Sequence, residues 1–153
     1  MEKLEFKKMI LDKAKQCQQQ VIDNFKSKIE ELKSAQTNKH EDQFDRDKPA
    51  VDESTNEIIG KLAEELNFCV DEMQFLHTLK VDEELMETAE LGSLVKTDKG
   101  IFFPSVSIEK FEVNGEKMFG LSAMAPLFKE MRGKKKGDTF SYNNNKYTIT
   151  EIF

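Results

Sequence analysis

Ile59, Leu62, Leu66, Cys69, Met73 and Leu76 alternate spacings of three and four without a miss. That is the period of a helix that buries one narrow seam against another helix. A longer stripe precedes it, with Leu4, Leu11, Ala14, Val21, Phe25, Leu32 and Ala35 on the seam and Ile10, Cys17, Ile22 and Ile29 widening it. The spacing predicts one helix over residues 2–38, roughly 55 Å long at ~1.5 Å per residue. Its stop is set at Thr37-Asn38-Lys39-His40, where the apolar period ends. The second helix is set to start near residue 54, because Ser54 and Glu57 have the S-x-x-E spacing of a capping box and Pro49 precedes them, and to run to about residue 80. Two such stripes joined by a turn bury each other as an antiparallel coiled-coil hairpin, with Leu32 near Leu62 and Val21 near Met73. Phe68, Phe75 and Leu79 fall off the narrow seam and are read as packing the helix onto the carboxyl-terminal part of the chain.

That carboxyl-terminal part has another pattern. Composition changes at Leu91-Gly92, after an acidic helix end at residues 82–87. Turn signals then recur about every ten residues, at Asp98-Lys99-Gly100, Asn114-Gly115, Gly133 with Gly137-Asp138, and Asn143-Asn144-Asn145. Between them lie short runs rich in branched and aromatic residues, at 101–103, 106–113, 117–119, 139–142 and 146–153. Asn114-Gly115 is the strongest hairpin signal in the chain. Residues 125–132 are the one helical interruption, with Pro126 at a helix start where its missing N–H costs nothing. The expected fold class is α+β, with a helical hairpin over residues 1–90 and a small antiparallel β domain carrying one short helix over residues 91–153.

Six acids crowd into residues 41–53, among them Asp45, Asp47, Asp52 and Glu53, with Arg46 and Lys48 as the only strong bases there. The hairpin geometry places this stretch, about residues 39–53, at the far tip. Carboxylates this dense repel one another unless they meet a cation, so a divalent metal or a basic cleft is one reading and a solvated acidic turn the other.

The formal charge of −6 speaks against a general nucleic-acid binder, whose affinity comes chiefly from surplus Lys and Arg. The lysines of Gly133-Lys134-Lys135-Lys136-Gly137-Asp138 are read as an exposed turn in preference to a local nucleic-acid contact. No apolar run approaches the ~20 residues that cross a bilayer, and the N-terminal residues lack a signal-peptide core, so a cytoplasmic protein is expected. Cys17 and Cys69 fall on apolar stripes and are read as reduced, buried small hydrophobes. A hairpin that satisfies its own seam favours a monomer.

Leu121-Ser122-Ala123-Met124-Ala125-Pro126-Leu127, then Met131, Gly133-Lys134 and Gly137-Asp138, resembles the carboxyl-terminal signature of the Gre transcript-cleavage factors, roughly I-S-x-x-S-P-[IL]-x-x-x-L-x-G-K-x-x-G-D. Leu91-Gly92-Ser93-Leu94-Val95 resembles the F-G-[AS]-x-V entry to the same domain, and Phe68-Cys69 matches a Phe-Cys pair in the family's second helix. The resemblance implies an amino-terminal coiled coil and an FKBP-like carboxyl-terminal domain that docks on bacterial RNA polymerase, here through Ser122, Met124, Pro126 and Leu127. It further implies that the tip enters the polymerase's secondary channel and presents an acidic pair from a D-x-x-E-N motif.

Counting back from Phe68 places Asp52 on the family Asp, Asn56 on the Asn and Thr55 on the Glu. Asp52 and Glu53 are then the candidate ligands for a Mg²⁺ ion shared with the polymerase, and Asp47 and Asp45 are further candidate carboxylates. Two-metal hydrolysis of a phosphodiester gains rate when outside carboxylates complete the shell of a weakly held ion, so the chain would act on the polymerase's own hydrolysis and catalyse nothing alone. Two alternatives remain: a Gre-fold regulator that enters the same channel and inhibits or tunes the enzyme, and an FKBP-like isomerase or chaperone. The chain has no Trp, the residue that generally floors the pocket of active isomerases of that fold.

Overall fold

The computed structural model describes residues 2–41, 53–81 and 83–153. Two helices, α1 (Lys3–Glu41) and α2 (Glu53–Thr78), precede a six-stranded mixed sheet. The strands are β1 (Val95–Thr97), β2 (Gly100–Ser105), β3 (Ile108–Val113), β4 (Glu116–Ser122), β5 (Thr139–Tyr142) and β6 (Asn145–Ile152), with helix α3 (Pro126–Met131) between β4 and β5. The chain divides into two compact units, one of Met1–Cys17 with Met73–Phe153, the other Gln18–Glu72.

In the first unit the sheet runs β3-β4-β2-β1-β6-β5 and is apolar on both faces. One face carries Leu94, Phe103, Phe111, Val113 and Met118, and packs with Phe6, Ile10, Leu11 and Ala14 of α1 and Leu76 of α2 into one core. The other face carries Val95, Phe102, Phe140 and Ile149, packed with Phe128 and Met131 of α3. Each fully buried side chain of this size contributes about 1.5–3 kcal/mol. Phe75 and Leu79 pack against the first core as expected.

The expected antiparallel sheet is corrected at β2 and β4, which pair in parallel with Phe102 opposite Phe119 and Ser105 opposite Ser122. Parallel neighbours need a crossover, and β3 supplies it, running as the edge strand and returning through the Asn114-Gly115 hairpin. Turn spacing carries no record of strand order. The hairpin itself is as expected, with φ of 56° at Asn114 and 82° at Gly115, the two positive angles of a type I′ turn. Asn143 and Asn144 make the same turn between β5 and β6, at φ 50° and 65°. Gly120 admits no side chain, because an added Cβ would lie 2.5 Å from the Val106 carbonyl oxygen.

In the second unit α1 and α2 meet through a polar contact. The Gln18 amide donates to the Cys69 carbonyl at 2.9 Å and to Glu72 at 3.4 Å. Ile22, Ile29 and Cys69 are buried, with Phe25, Leu32, Leu62 and Leu66 half-buried. The expected seam is corrected here, since Val21 and Ala35 are exposed and Ile22 takes the inner position. A straight helix drifts ~20° per heptad, so over a helix this long the inner stripe moves by one residue.

Three boundaries also differ. Helix α1 runs through residues 37–40 to Glu41, for the apolar period ends there but no Gly or Pro breaks the backbone. Helix α2 begins one residue earlier than expected and ends at Thr78, so residues 83–87 form no helix end. Phe68, expected with Phe75 and Leu79 to pack the helix onto the carboxyl-terminal part of the chain, is 62% exposed.

Lys7 lies one turn before Leu11 on the buried stripe and is only 1% exposed, its ammonium without a hydrogen-bond partner among the described residues. Burial lowers its pKa from 10.5 to about 8. Between these values the unfolded chain holds a proton that the folded chain does not, so stability rises with pH through that window and the full penalty is present below pH 8. Lys7→Met keeps the volume and removes the charge. It is expected to raise stability at pH 7 by on the order of 3 kcal/mol and to flatten the pH dependence between 8 and 10.5, as read by chemical denaturation across that range.

Candidate docking surface

The segment after β4 is built by a turn and a proline. The Ala125 N–H donates to the Ser122 carbonyl at 3.1 Å, closing the turn that carries the exposed Ala123 and Met124. Ala125 stands at the N-cap in an extended conformation with no side-chain cap, and Pro126 opens α3, where its fixed φ suits a first helical residue. Phe128 and Met131 point inward and are fully buried. The helix stops at Arg132, whose N–H donates to the Phe128 carbonyl at 2.9 Å. Its guanidinium lies 5.7 Å from the Phe128 ring and bonds Glu90 at 3.1 Å. Gly133, at φ 79°, turns the chain back, its N–H donating to the Ala89 carbonyl.

The four residues expected to dock a partner are brought together by this turn. Met124 is 75% exposed, the most exposed large apolar side chain among those described. Pro126 is exposed, and Ser122 and Leu127 are half-buried, Leu127 against the second core. None of the four ionises, so the surface can bind but offers no acid–base chemistry.

Alternation along β4 places Lys117, Phe119 and Leu121 on one face and Met118 and Gly120 on the other. Phe119 starts an aromatic row on the face that carries α3. Its ring is 6.2 Å from Phe102, Phe102 is 6.1 Å from Tyr147, and Tyr147 stacks on Phe140 at 5.0 Å. The Lys99 ammonium sits 5.4 Å from the Tyr147 ring and donates to the Lys146 carbonyl. Phe119 is 39% exposed and extends the apolar surface beyond the expected residues; its signal was the two-residue alternation leading into Leu121.

At the start of α1, Lys3 pairs with Glu151 at 2.9 Å and Lys96 with Glu116 at 3.0 Å. The Lys3 bond, more than any other cause, holds the Glu151 carboxyl below the usual range. Both ammoniums lie within 5.6 Å of the Phe153 ring. The first pair links α1 to β6 and the second links β1 to β4, and both carboxylates are spent on ion pairs rather than free to act as a base.

Of the two acids expected to bind metal, Asp52 lies outside the described residues, as do the further candidates Asp45 and Asp47, and Glu53 is the exposed first residue of α2. One carboxylate does not make a Mg²⁺ site, and no group of three or more His, Cys, Asp or Glu able to hold a metal occurs among the described residues. Cys17 and Cys69 are free, Cys69 buried and Cys17 partly so. Burial pushes the Cys69 thiol up, with the Glu72 and Glu65 carboxylates adding to the effect, so it is no nucleophile. No helix among the described residues is long and apolar enough to cross a membrane.

No protein-family model matches this chain, and no curated protein matches it.

The exposed and buried sides of α3 separate binding from folding. Met124→Ser is expected to leave the thermal midpoint within a degree or two, because the side chain is mostly in water. Phe128→Ala, at a fully buried position, is expected to cost about 3–5 kcal/mol. Thermal and denaturant melts of both variants test the assignment; a large loss in Met124→Ser would make that residue part of the core.

Proposed function

We propose that this chain is a Gre-like transcription elongation factor. In this reading the surface of Ser122, Met124, Pro126, Leu127 and Phe119 docks on RNA polymerase, and α1 and α2 form an antiparallel coiled coil that carries residues 41–53 into the secondary channel. The observation that carries the reading is the turn after β4, where the residues of the family-like signature present Met124 and Pro126 outward while Phe128 and Met131 hold the segment to the sheet. The Gln18–Cys69 bond supports pairing of the helices, and a sheet with one short helix on its face supports an FKBP-like domain.

The tip acids Asp45, Asp47, Asp52 and Glu53 supply the carboxylates that the reading needs. Their hard oxygens suit Mg²⁺, and the ion would be one that the polymerase already holds. The chemistry belongs to the polymerase, with this chain an accessory in trans.

A second reading rests on one residue. Thr55 stands where the family Glu falls, so a regulator that occupies the channel without promoting cleavage is the competing proposal. RNA cleavage in a stalled elongation complex separates the two. A cleavage factor speeds it, and Asp52→Asn with Glu53→Gln lowers that gain by ~10²-fold with affinity for polymerase nearly unchanged. An inhibitor slows both synthesis and cleavage, and the neutralised tip relieves the block. If the doubly substituted protein matches the parent in every assay, the acids are only a solvated turn.

A further inference from the structure

Phe68 is 62% exposed on α2, the most exposed aromatic side chain among the described residues. Helix geometry places residues three and four positions away on its flanks, and all four of those positions are acids: Glu64, Glu65, Asp71 and Glu72. Glu64, Glu65 and Asp71 are exposed and make no ion pair among the described residues, while Glu72 also accepts from Gln18. The nearest lysine on α2, Lys61, stands one turn before Glu64 and Glu65 and makes no ion pair with them among the described residues. The carboxylates make themselves felt on the neighbouring residue, since Glu72 and Glu65 add to the upward push on the Cys69 thiol.

An aromatic face ringed by carboxylates selects its occupant. A purely apolar partner would strip water from the acids without replacing it, which is costly. An anionic partner, nucleic acid included, is repelled. An ammonium satisfies the charge but offers no flat surface. A guanidinium does both, stacking on the ring and forking onto carboxylates in the plane around it. We infer that this face of α2 is a docking surface for an arginine-bearing segment of a partner protein, with one guanidinium over Phe68 and its neighbours on Glu64, Glu65 and Asp71. The surface is separate from the one after β4 and does not depend on which partner that one binds.

The test uses the full chain with nona-arginine and, as a probe of equal charge, nona-lysine, titrated at low salt with amide shifts followed by NMR. The arginine peptide is expected to bind at least about threefold more tightly than the lysine peptide and to shift residues around Phe68. Phe68→Ala is expected to weaken arginine binding about three- to tenfold and abolish the preference, with the melting midpoint unchanged because the ring is solvent-facing. Phe68→Trp, the better cation partner, restores or strengthens the preference. Equal binding of the two peptides by the parent chain overturns the inference, as does unaltered arginine binding in Phe68→Ala, or shifts confined to residues 41–53. Loss of polymerase binding in a Met124 variant with peptide binding intact would bear on the proposed function alone.

Discussion

A sheet apolar on both faces must be covered on both, and this requirement organises the first compact unit. Helix α3 covers the face of Phe102 and Phe140 from within the same stretch of chain. The face of Phe103, Phe111 and Met118 has no such local cover. Its partners are Phe6, Ile10, Leu11 and Ala14 from the beginning of the chain, with Leu76 at the end of α2 and Val81 just beyond it. The strands cannot bury this face until the N-terminal turns of α1 arrive, so a long stretch of chain is closed into a loop before the core is complete. Loop-closure entropy grows slowly with length, and the mutually packed apolar side chains of this core outweigh it.

The same cover contains a charge that packing alone would reject. Lys7 shares the buried stripe of α1 with Leu11 and Ala14 yet finds no bonding partner among the described residues. The ion pairs at the rim, Lys3 with Glu151 and Lys96 with Glu116, are partly exposed and worth little each. Apolar contact is therefore what holds α1 in place. Lys7 subtracts from it.

Patterns that repeat within a few residues were legible in the sequence. The three-four spacing gave both helices, the turn residues gave the strands, and Pro126 gave the start of α3. What was not legible depends on residues far apart in the chain. The parallel pairing of β2 with β4 follows from strand order, and the exchange of Val21 for Ile22 follows from helical drift accumulated over several turns. Gln18 and Lys7 sit at inner positions that a search for apolar residues passes over. At the candidate site, the helix start at Pro126 was legible because the proline fixes it locally. Of the four candidate tip acids, two of them expected to bind metal, the described residues include Glu53 alone.

Charge divides the chain as sharply as packing does. Residues 1–90 hold 13 Lys and Arg against 22 Asp and Glu, whereas residues 91–153 hold ten against seven. The residues proposed to dock, Ser122, Met124, Pro126 and Leu127, carry no charge at all, so affinity arising there would come from apolar area and be nearly indifferent to moderate salt. Contacts that the acids of residues 41–53 or those around Phe68 made with a partner would be ionic, and exposed ionic contacts are screened beyond a Debye length of ~10 Å at 0.1 M salt. If the proposed docking on polymerase holds, raising salt should thus leave the chain bound while weakening whatever the acids do there. Activity that falls with salt while occupancy stays constant, read by co-sedimentation beside the cleavage assay, would assign binding to the neutral surface and effect to the acidic helices; affinity that falls as steeply as activity would place the binding energy in the acids instead.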